Sequence, residues 1–201
     1  MKSLLLTVAG GLLLVACAST DYYNPLDDYE EVEATTNLDM PTPGNVPLEM
    51  QQATARGEYL SELLGCGACH TDGALIGKPD LNRPLAGSSV GIAYTNPLEN
   101  KNPGVVFAPN LTPDPETGLG QWSDAQIAEA VRTGAGRHGQ RLVLAMPWQR
   151  FAKISDEDVE ALVSYLRSLD PIEHQAPRAV SPGVKTRNPY VHFGVYRSRN
   201  M

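Results

Sequence analysis

The sequence predicts an all-α domain over residues 51–177, set between two extended segments. Three observations carry that expectation. Three stretches repeat apolar residues at helical spacing between recognisable start and stop signals. No window alternates apolar and polar residues well enough to be called a sheet. The stretches between the helices are rich in glycine and proline. Hydrophobic residues make up 42 % of the 201-residue chain, enough for one small core and too many for wholesale disorder. The net charge of −7 argues against nucleic acid as the main partner.

A first helix is expected over Leu48 to Leu64, with Tyr59, Leu60, Leu63 and Leu64 as its apolar face and Gly65 as its stop. A second starts at Ser123, where Gln126 completes a capping box, and ends at Gly134. A third starts at Ser155, whose side chain caps amides that follow. Asp156, Glu157 and Asp158 suit its positive end. Val159, Leu162, Val163, Leu166 and Leu169 keep helical spacing until Asp170-Pro171 stops it. The connections 71–120 and 135–154 are long for structureless loops, and loops of that length are usually functional or wrapped around something. Aromatic residues are only 6 % of the chain, so a large flat body at the centre would help fill the core.

The termini read differently. Residues 1–16 have the shape of a secretory signal: Lys2 is followed by an uncharged, mostly apolar run too short to span a membrane comfortably. Leu14-Val15-Ala16-Cys17 resembles the lipobox of bacterial lipoproteins, which implies acylation of Cys17 and cleavage before it. An ordinary signal cut near Ala16 or Ala18 is the alternative. Several acyl chains on Cys17 would hold the protein on a membrane without a span. Ala18-Ser19, with no aspartate there, resembles outer-membrane sorting in Gram-negative bacteria. Residues 17–50 then form an anchor and an acidic, proline-rich linker: eight acids and no Lys or Arg lie between Ala18 and Met50. Tyr22, Tyr23 and Tyr29 in it can pack on the domain or on a partner. Residues 178–201 form a basic tail with Arg178, Lys185, Arg187, Arg197 and Arg199. It can dock on a partner or fold back over the domain, and the reading that it is a docking tail makes it dispensable for the core.

The chemistry lies at Cys66-Gly67-Ala68-Cys69-His70, the C-x-x-C-H pattern of covalent haem attachment. Two thiols on one short turn reach the two vinyl groups of a haem, and the next imidazole reaches the iron from the same face. A bare C-x-x-C can also be a redox disulfide or half a zinc site. A zinc ribbon needs a second cysteine pair, and a thioredoxin-like site needs a βαβ pattern, which is absent. One motif implies one haem c.

Gly57-Glu58-Tyr59-Leu60 ahead of this motif resembles the start of class I cytochromes c. Phe107 to Asp124 (FAPNLTPDPETGLGQWSD), Ala130 to Gly134 (AVRTG), Ala145 to Trp148 (AMPW) and Ser155 to Leu169 resemble one branch of that family. The branch includes the cytochrome c subunits of membrane-bound alcohol, gluconate and related sugar dehydrogenases. The resemblance covers about Ala55 to Pro171 and implies a class I cytochrome c fold with one haem at its centre. Those subunits usually carry several haem modules, and this chain has one motif. The resemblance implies His70 and a late-loop methionine, Met146, as the iron ligands. The Met146-Pro147 step favours extended backbone, as suits a presented loop side chain. The resemblance also places Asn110 and Trp122 near the haem edge, where their polar hydrogens can meet the propionates; Trp122 can equally be helix-entry packing. A carbonyl of Pro79 or Pro84 is expected on the other nitrogen of His70. Gly57 and Tyr165 are expected where the first and third helices cross. His138 is the one rival ligand, in a glycine-rich loop, and His174 and His192 read as exposed or structural.

The chain therefore reads as an extracytoplasmic electron carrier rather than an enzyme, exchanging electrons with redox protein partners. The alternatives are a dedicated subunit of a membrane oxidoreductase complex, and a haem enzyme or gas sensor. The last needs an open iron site, against which Met146 argues.

Overall fold

The computed structural model describes residues 29–32, 38–136 and 145–194. The signal segment, Cys17, Tyr22, Tyr23 and His138 lie outside them.

Helix α1, Gln51–Leu63, follows a 3-10 turn at Leu48–Met50, and its next residues, Leu64 and Gly65, lead directly into α2, Cys66–His70. The buried residues of α1 are Thr54, Gly57, Leu60 and Ser61, whereas Tyr59 and Leu63 are 53 % and 65 % exposed. The expected apolar face is thus corrected at Tyr59 and Leu63. The cause is the neighbour. Helix α5, Asp156–Ser168, crosses α1 so closely that a Cβ on Gly57 would lie 2.0 Å from the Ala161 carbonyl oxygen and 2.7 Å from Tyr165 Cβ. Only small residues fit such a crossing, and the Thr54 and Ser164 hydroxyls share a hydrogen bond of 3.1 Å beside it. Gly57 and Tyr165 meet there as expected.

Helix α3, Asp124–Thr133, opens with the expected capping box between Ser123 and Gln126 and closes on Gly134, whose φ of 66° lies in the left-handed region. A single turn, α4, spans Trp148–Phe151. Ser155 caps α5 by accepting from the Asp158 amide at 3.1 Å, and the backbone turns extended at Leu169. Leu85, Leu119, Ile127, Val163, Tyr165, Leu166 and Leu169 form the main core cluster.

Beside these helices stands a three-stranded sheet, so the all-α expectation does not cover the whole domain. Strand β1, Gly91–Ala93, is central. It pairs antiparallel with β2, Val105–Val106, and parallel with β3, Tyr190–His192. The strands are two or three residues long, and β1 is buried at every position. Alternation, the usual mark of a half-buried strand, never develops over so short a span.

Both flanking segments are partly built into the fold. In the basic segment, Val180 and Val105 exchange backbone hydrogen bonds of 2.8 and 2.9 Å. Further on, Val191 of β3 packs on Leu75, Val90 and Ile92 together with Cys69. The boundary at 177 is therefore not a boundary of packing: β3 supplies partners to backbone groups on one edge of β1. In the acidic segment, Tyr165 donates to the Pro41 carbonyl at 2.8 Å, and the Gly44 amide donates to the Ser168 carbonyl at 2.8 Å. Tyr29 stands edge-on to Tyr190, with their hydroxyls 3.0 Å apart.

Gly57→Ala should lower stability by about 1–3 kcal/mol, because a methyl overlapping backbone outweighs the roughly 1 kcal/mol gained in helix propensity. Urea unfolding of the purified full-length protein measures it. Truncation after Pro177 removes β3 and uncovers Leu75, Val90 and Ile92. It should shift the unfolding midpoint to lower denaturant, whereas a docking tail without a structural role would leave the midpoint unchanged.

Candidate cofactor site

The cysteine turn is held by an interlaced set of loops. The Gly87 amide donates to the His70 carbonyl at 2.8 Å, and the Leu85 amide to Thr71 Oγ1 at 3.1 Å. The next chain over is fixed to that one: the Ser88 amide donates to the Ala108 carbonyl at 3.0 Å and the Leu111 amide to the Leu85 carbonyl at 2.8 Å. Gly87, at φ 90°, makes this approach possible, because a Cβ there would sit 2.9 Å from the Asn110 nitrogen. Leu85 also adopts a positive φ of 59°, an uncommon conformation for a leucine, and is fully buried.

This ladder delivers the Pro109 carbonyl to His70 Nδ1 at 2.8 Å. The carbonyl can only accept, so Nδ1 carries the proton and Nε2 is the nitrogen free to bind a metal. Pro109 is the partner, in place of the expected Pro79 or Pro84. Nothing in the spacing from residue 70 to 109 signals this contact, because three separate loops create it. Burial pushes the His70 imidazole towards its neutral form, against the opposing pull of that carbonyl.

His70 opens on a cavity of about 190 Å³ that is also lined by Cys66, Met146, Asn110 and Trp122. Leu119, Ile127, Val131, Leu162 and Leu166 supply much of its apolar wall. Cys69, the other cysteine of the turn, instead packs beside Leu75, Val90 and Ile92. Cys66 and Cys69 are not joined in a disulfide. Burial raises the Cys66 thiol, opposed by the nearby Ser61 hydroxyl, and burial with the neighbouring Cys66 raises Cys69.

Asn110 is 2 % exposed, and its polar atoms are already engaged. Its amide nitrogen donates to the Ile172 carbonyl at 2.7 Å and to Thr117 Oγ1 at 3.1 Å. Its oxygen accepts from the Thr112 amide at 2.9 Å and hydroxyl at 2.8 Å. The observed role is to staple the wall, which differs from the expected aim of its hydrogens at haem propionates. Trp122 packs against the main core cluster, its backbone carbonyl held by Arg167. His174 is structural, with Nδ1 2.7 Å from the Ala86 carbonyl oxygen. His192 lies in β3.

Ser61 Oγ is buried in the cavity wall near the Cys66 thiol, in no hydrogen bond of good geometry among the described residues. It stands in phase with Thr54 and Gly57 on a face of small residues, a pattern that apolar spacing alone does not reveal. An apolar cavity with an imidazole, a thioether and a thiol is chemically suited to a flat, metal-bearing macrocycle. The residues present fit a haem.

The family model described as cytochrome c matches residues 54–170. The chain belongs to the cytochrome c family. It is 36 % identical over 122 residues to a nicotinate dehydrogenase subunit of Pseudomonas putida, covering 61 % of this chain and 9 % of that protein. It is 35 % identical over 126 residues to the cytochrome c subunit of a quinone alcohol dehydrogenase of Gluconobacter oxydans, covering 61 % and 23 %. A fructose dehydrogenase cytochrome subunit of Gluconobacter japonicus is 30 % identical over 143 residues, covering 71 % and 26 %. The chain thus spans about a quarter or less of these relatives. Cytochrome c domains carry covalently bound haem and serve electron transport, which is the chemistry that this site suits.

The loop that carries Asn110 has its own acid-sensitive lock. Asp114 accepts from the Thr117 hydroxyl at 2.7 Å, the Thr117 amide at 2.6 Å and the Glu116 amide at 3.2 Å. These bonds outweigh burial and hold its carboxyl below the ordinary value of 3.8. A depressed carboxylate stabilises the fold above its ordinary value, and that contribution disappears as pH falls through the depressed one. Asp114→Asn should therefore melt lower than the parent at neutral pH and lose less stability on acidification below 3.8. Melting temperatures from neutral to strongly acid pH measure both effects.

Proposed function

We propose that the chain is a lipid-anchored, single-haem c-type cytochrome that passes single electrons between extracytoplasmic redox partners. The observation that carries this reading is the apolar cavity lined together by Cys66, His70 and Met146. Bound haem supplies the Fe(II)/Fe(III) couple. Cys66 and Cys69 would hold it through thioether bonds, and His70 and Met146 would supply the two protein ligands of its iron. Pro109 keeps the His70 proton on Nδ1, which leaves Nε2 for the iron. A histidine–methionine pair would raise the potential, and an iron held by both would favour outer-sphere transfer over binding of oxygen or peroxide. The chain is accordingly a carrier and not a catalyst. Asn110 and Trp122 complete the cofactor-binding wall.

Cys17 is the proposed lipid attachment, and the lipobox-like LVAC supports it. No helix among the described residues is long and apolar enough to cross a membrane. The setting is the periplasmic face of a Gram-negative membrane. A dedicated electron-transfer subunit of a membrane dehydrogenase is the second reading. It is favoured by relatives that are cytochrome subunits of alcohol, gluconate and fructose dehydrogenases.

One preparation from native membranes tests the proposal. The intact mass should show one haem retained after denaturation and acyl chains on Cys17; two haems, or none in a host with c-type maturation machinery, overturns it. The oxidised protein should show the weak far-red band of iron–sulfur ligation. Met146→Ala should abolish that band and lower the potential, whereas His138→Ala should leave both unchanged. Opening of the iron to small ligands by His138→Ala alone would reassign the distal side.

A further inference from the structure

Gly67, the first residue between the two cysteines, is buried, although Gly65 and Ala68 around it are exposed. It is covered by the acidic segment ahead of the domain. A Cβ built on Gly67 would lie 2.5 Å from Met40 Cε and 3.5 Å from Leu38 Cδ1. Met40 also packs on the main core cluster beside Cys66. Leu38 and Met40 face inwards, and Asp39 between them is exposed, as an extended chain with period two requires.

The segment is fixed a few residues later by contacts independent of that apolar one. The fully buried Tyr165 donates to the Pro41 carbonyl at 2.8 Å. The Gly44 amide donates to the Ser168 carbonyl at 2.8 Å, with so little space that a Cβ on Gly44 would lie 2.9 Å from that oxygen. A segment whose composition suits a solvated linker is therefore seated on the thiol-bearing turn at Leu38 and Met40 and on α5 at Pro41 and Gly44.

We propose that Leu38–Gly44 is a strap that seals the cysteine-bearing edge of the cofactor site, with Met40 as the positioning residue seated on Gly67. This rests on the haem reading above. On that reading Cys66 would carry the haem, and Gly67, which Leu38 and Met40 cover, is the next residue of the same turn. A seated Met40 keeps water and small reductants a side-chain layer away from it. Lower polarity around a haem disfavours the more highly charged ferric form, so the seal also raises the potential. Partners must approach another part of the cavity rim or displace the strap.

The test uses the full-length, haem-loaded protein, with its haem first confirmed by mass. Absence of haem on the parent overturns the functional reading itself and is seen before any variant is compared. Met40→Ser removes the seal without changing charge, and Met40→Ser with Gly44→Pro also removes the amide that anchors the strap. Hydrogen exchange of the peptide 38–44 reports whether the strap is seated, the rate of reduction by ascorbate reports access, and a redox titration reports the potential. The parent should be protected over 38–44. The double variant should lose that protection, be reduced several-fold faster by ascorbate and have a lower potential. An unprotected parent peptide overturns the proposal. So does a double variant whose strap exchanges freely while its ascorbate rate and potential match those of the parent.

Discussion

The close crossing of α1 and α5 at Gly57 is the constraint on which the site depends. With the Ala161 carbonyl oxygen 2.0 Å from where a Cβ would stand, the two helices are nearly in backbone contact. That distance sets the roll of α1. It turns Thr54, Gly57 and Ser61 inwards and leaves Tyr59 and Leu63 in water. One turn beyond Ser61, Leu64 and Cys66 then line the same cavity as Leu162 and Leu166 of α5. Separating the helices would move a thiol relative to the opposite wall, so packing at the crossing and geometry at the cysteine turn are one problem.

The remaining wall is made of loops, and polar contacts give them the rigidity that helices have intrinsically. Asn110 ties its own turn to Thr112 and Thr117 and reaches the Ile172 carbonyl beyond α5. The Ile172 amide returns a bond to Thr112 Oγ1 at 3.1 Å, and the His174 amide one to Thr117 Oγ1 at 3.0 Å. Long irregular segments otherwise lose too much conformational entropy to hold a ligand in fixed geometry. Here most of the hydrogen-bonding capacity of Asn110 serves that purpose. The same network carries Pro109 to His70, which determines the nitrogen that a metal can meet.

The parts legible in the sequence are those with local causes. Ser123 with Gln126, Gly134, and Ser155 act within one helical turn, and they stand where their neighbours imply. The C-x-x-C-H motif is likewise local. The parts that are not legible depend on distant chain. The sheet escapes because β1 is three residues long and buried throughout, leaving no alternation to detect. Pro109 escapes because a hydrogen bond across 39 residues leaves no periodic trace. The buried face of α1 escapes because hydrophobicity says nothing of the close neighbour that selects small residues.

The two ends of the domain show the same limit of composition as a guide. An acidic, proline-rich segment and a basic one both read as solvated extensions, and charge alone gives neither a reason to fold. Their apolar residues supply it. Met40 packs on the main core beside Cys66, and Val191 packs on the second cluster beside Cys69. Tyr29 and Tyr190 then bring the two segments into direct contact. Each thiol of the attachment turn thus has a flanking segment in its own packing cluster. A disturbance of either segment reaches the turn through one layer of side chains, with no long pathway between them. In a domain with so few aromatics, the extensions supply covering that the helical core lacks.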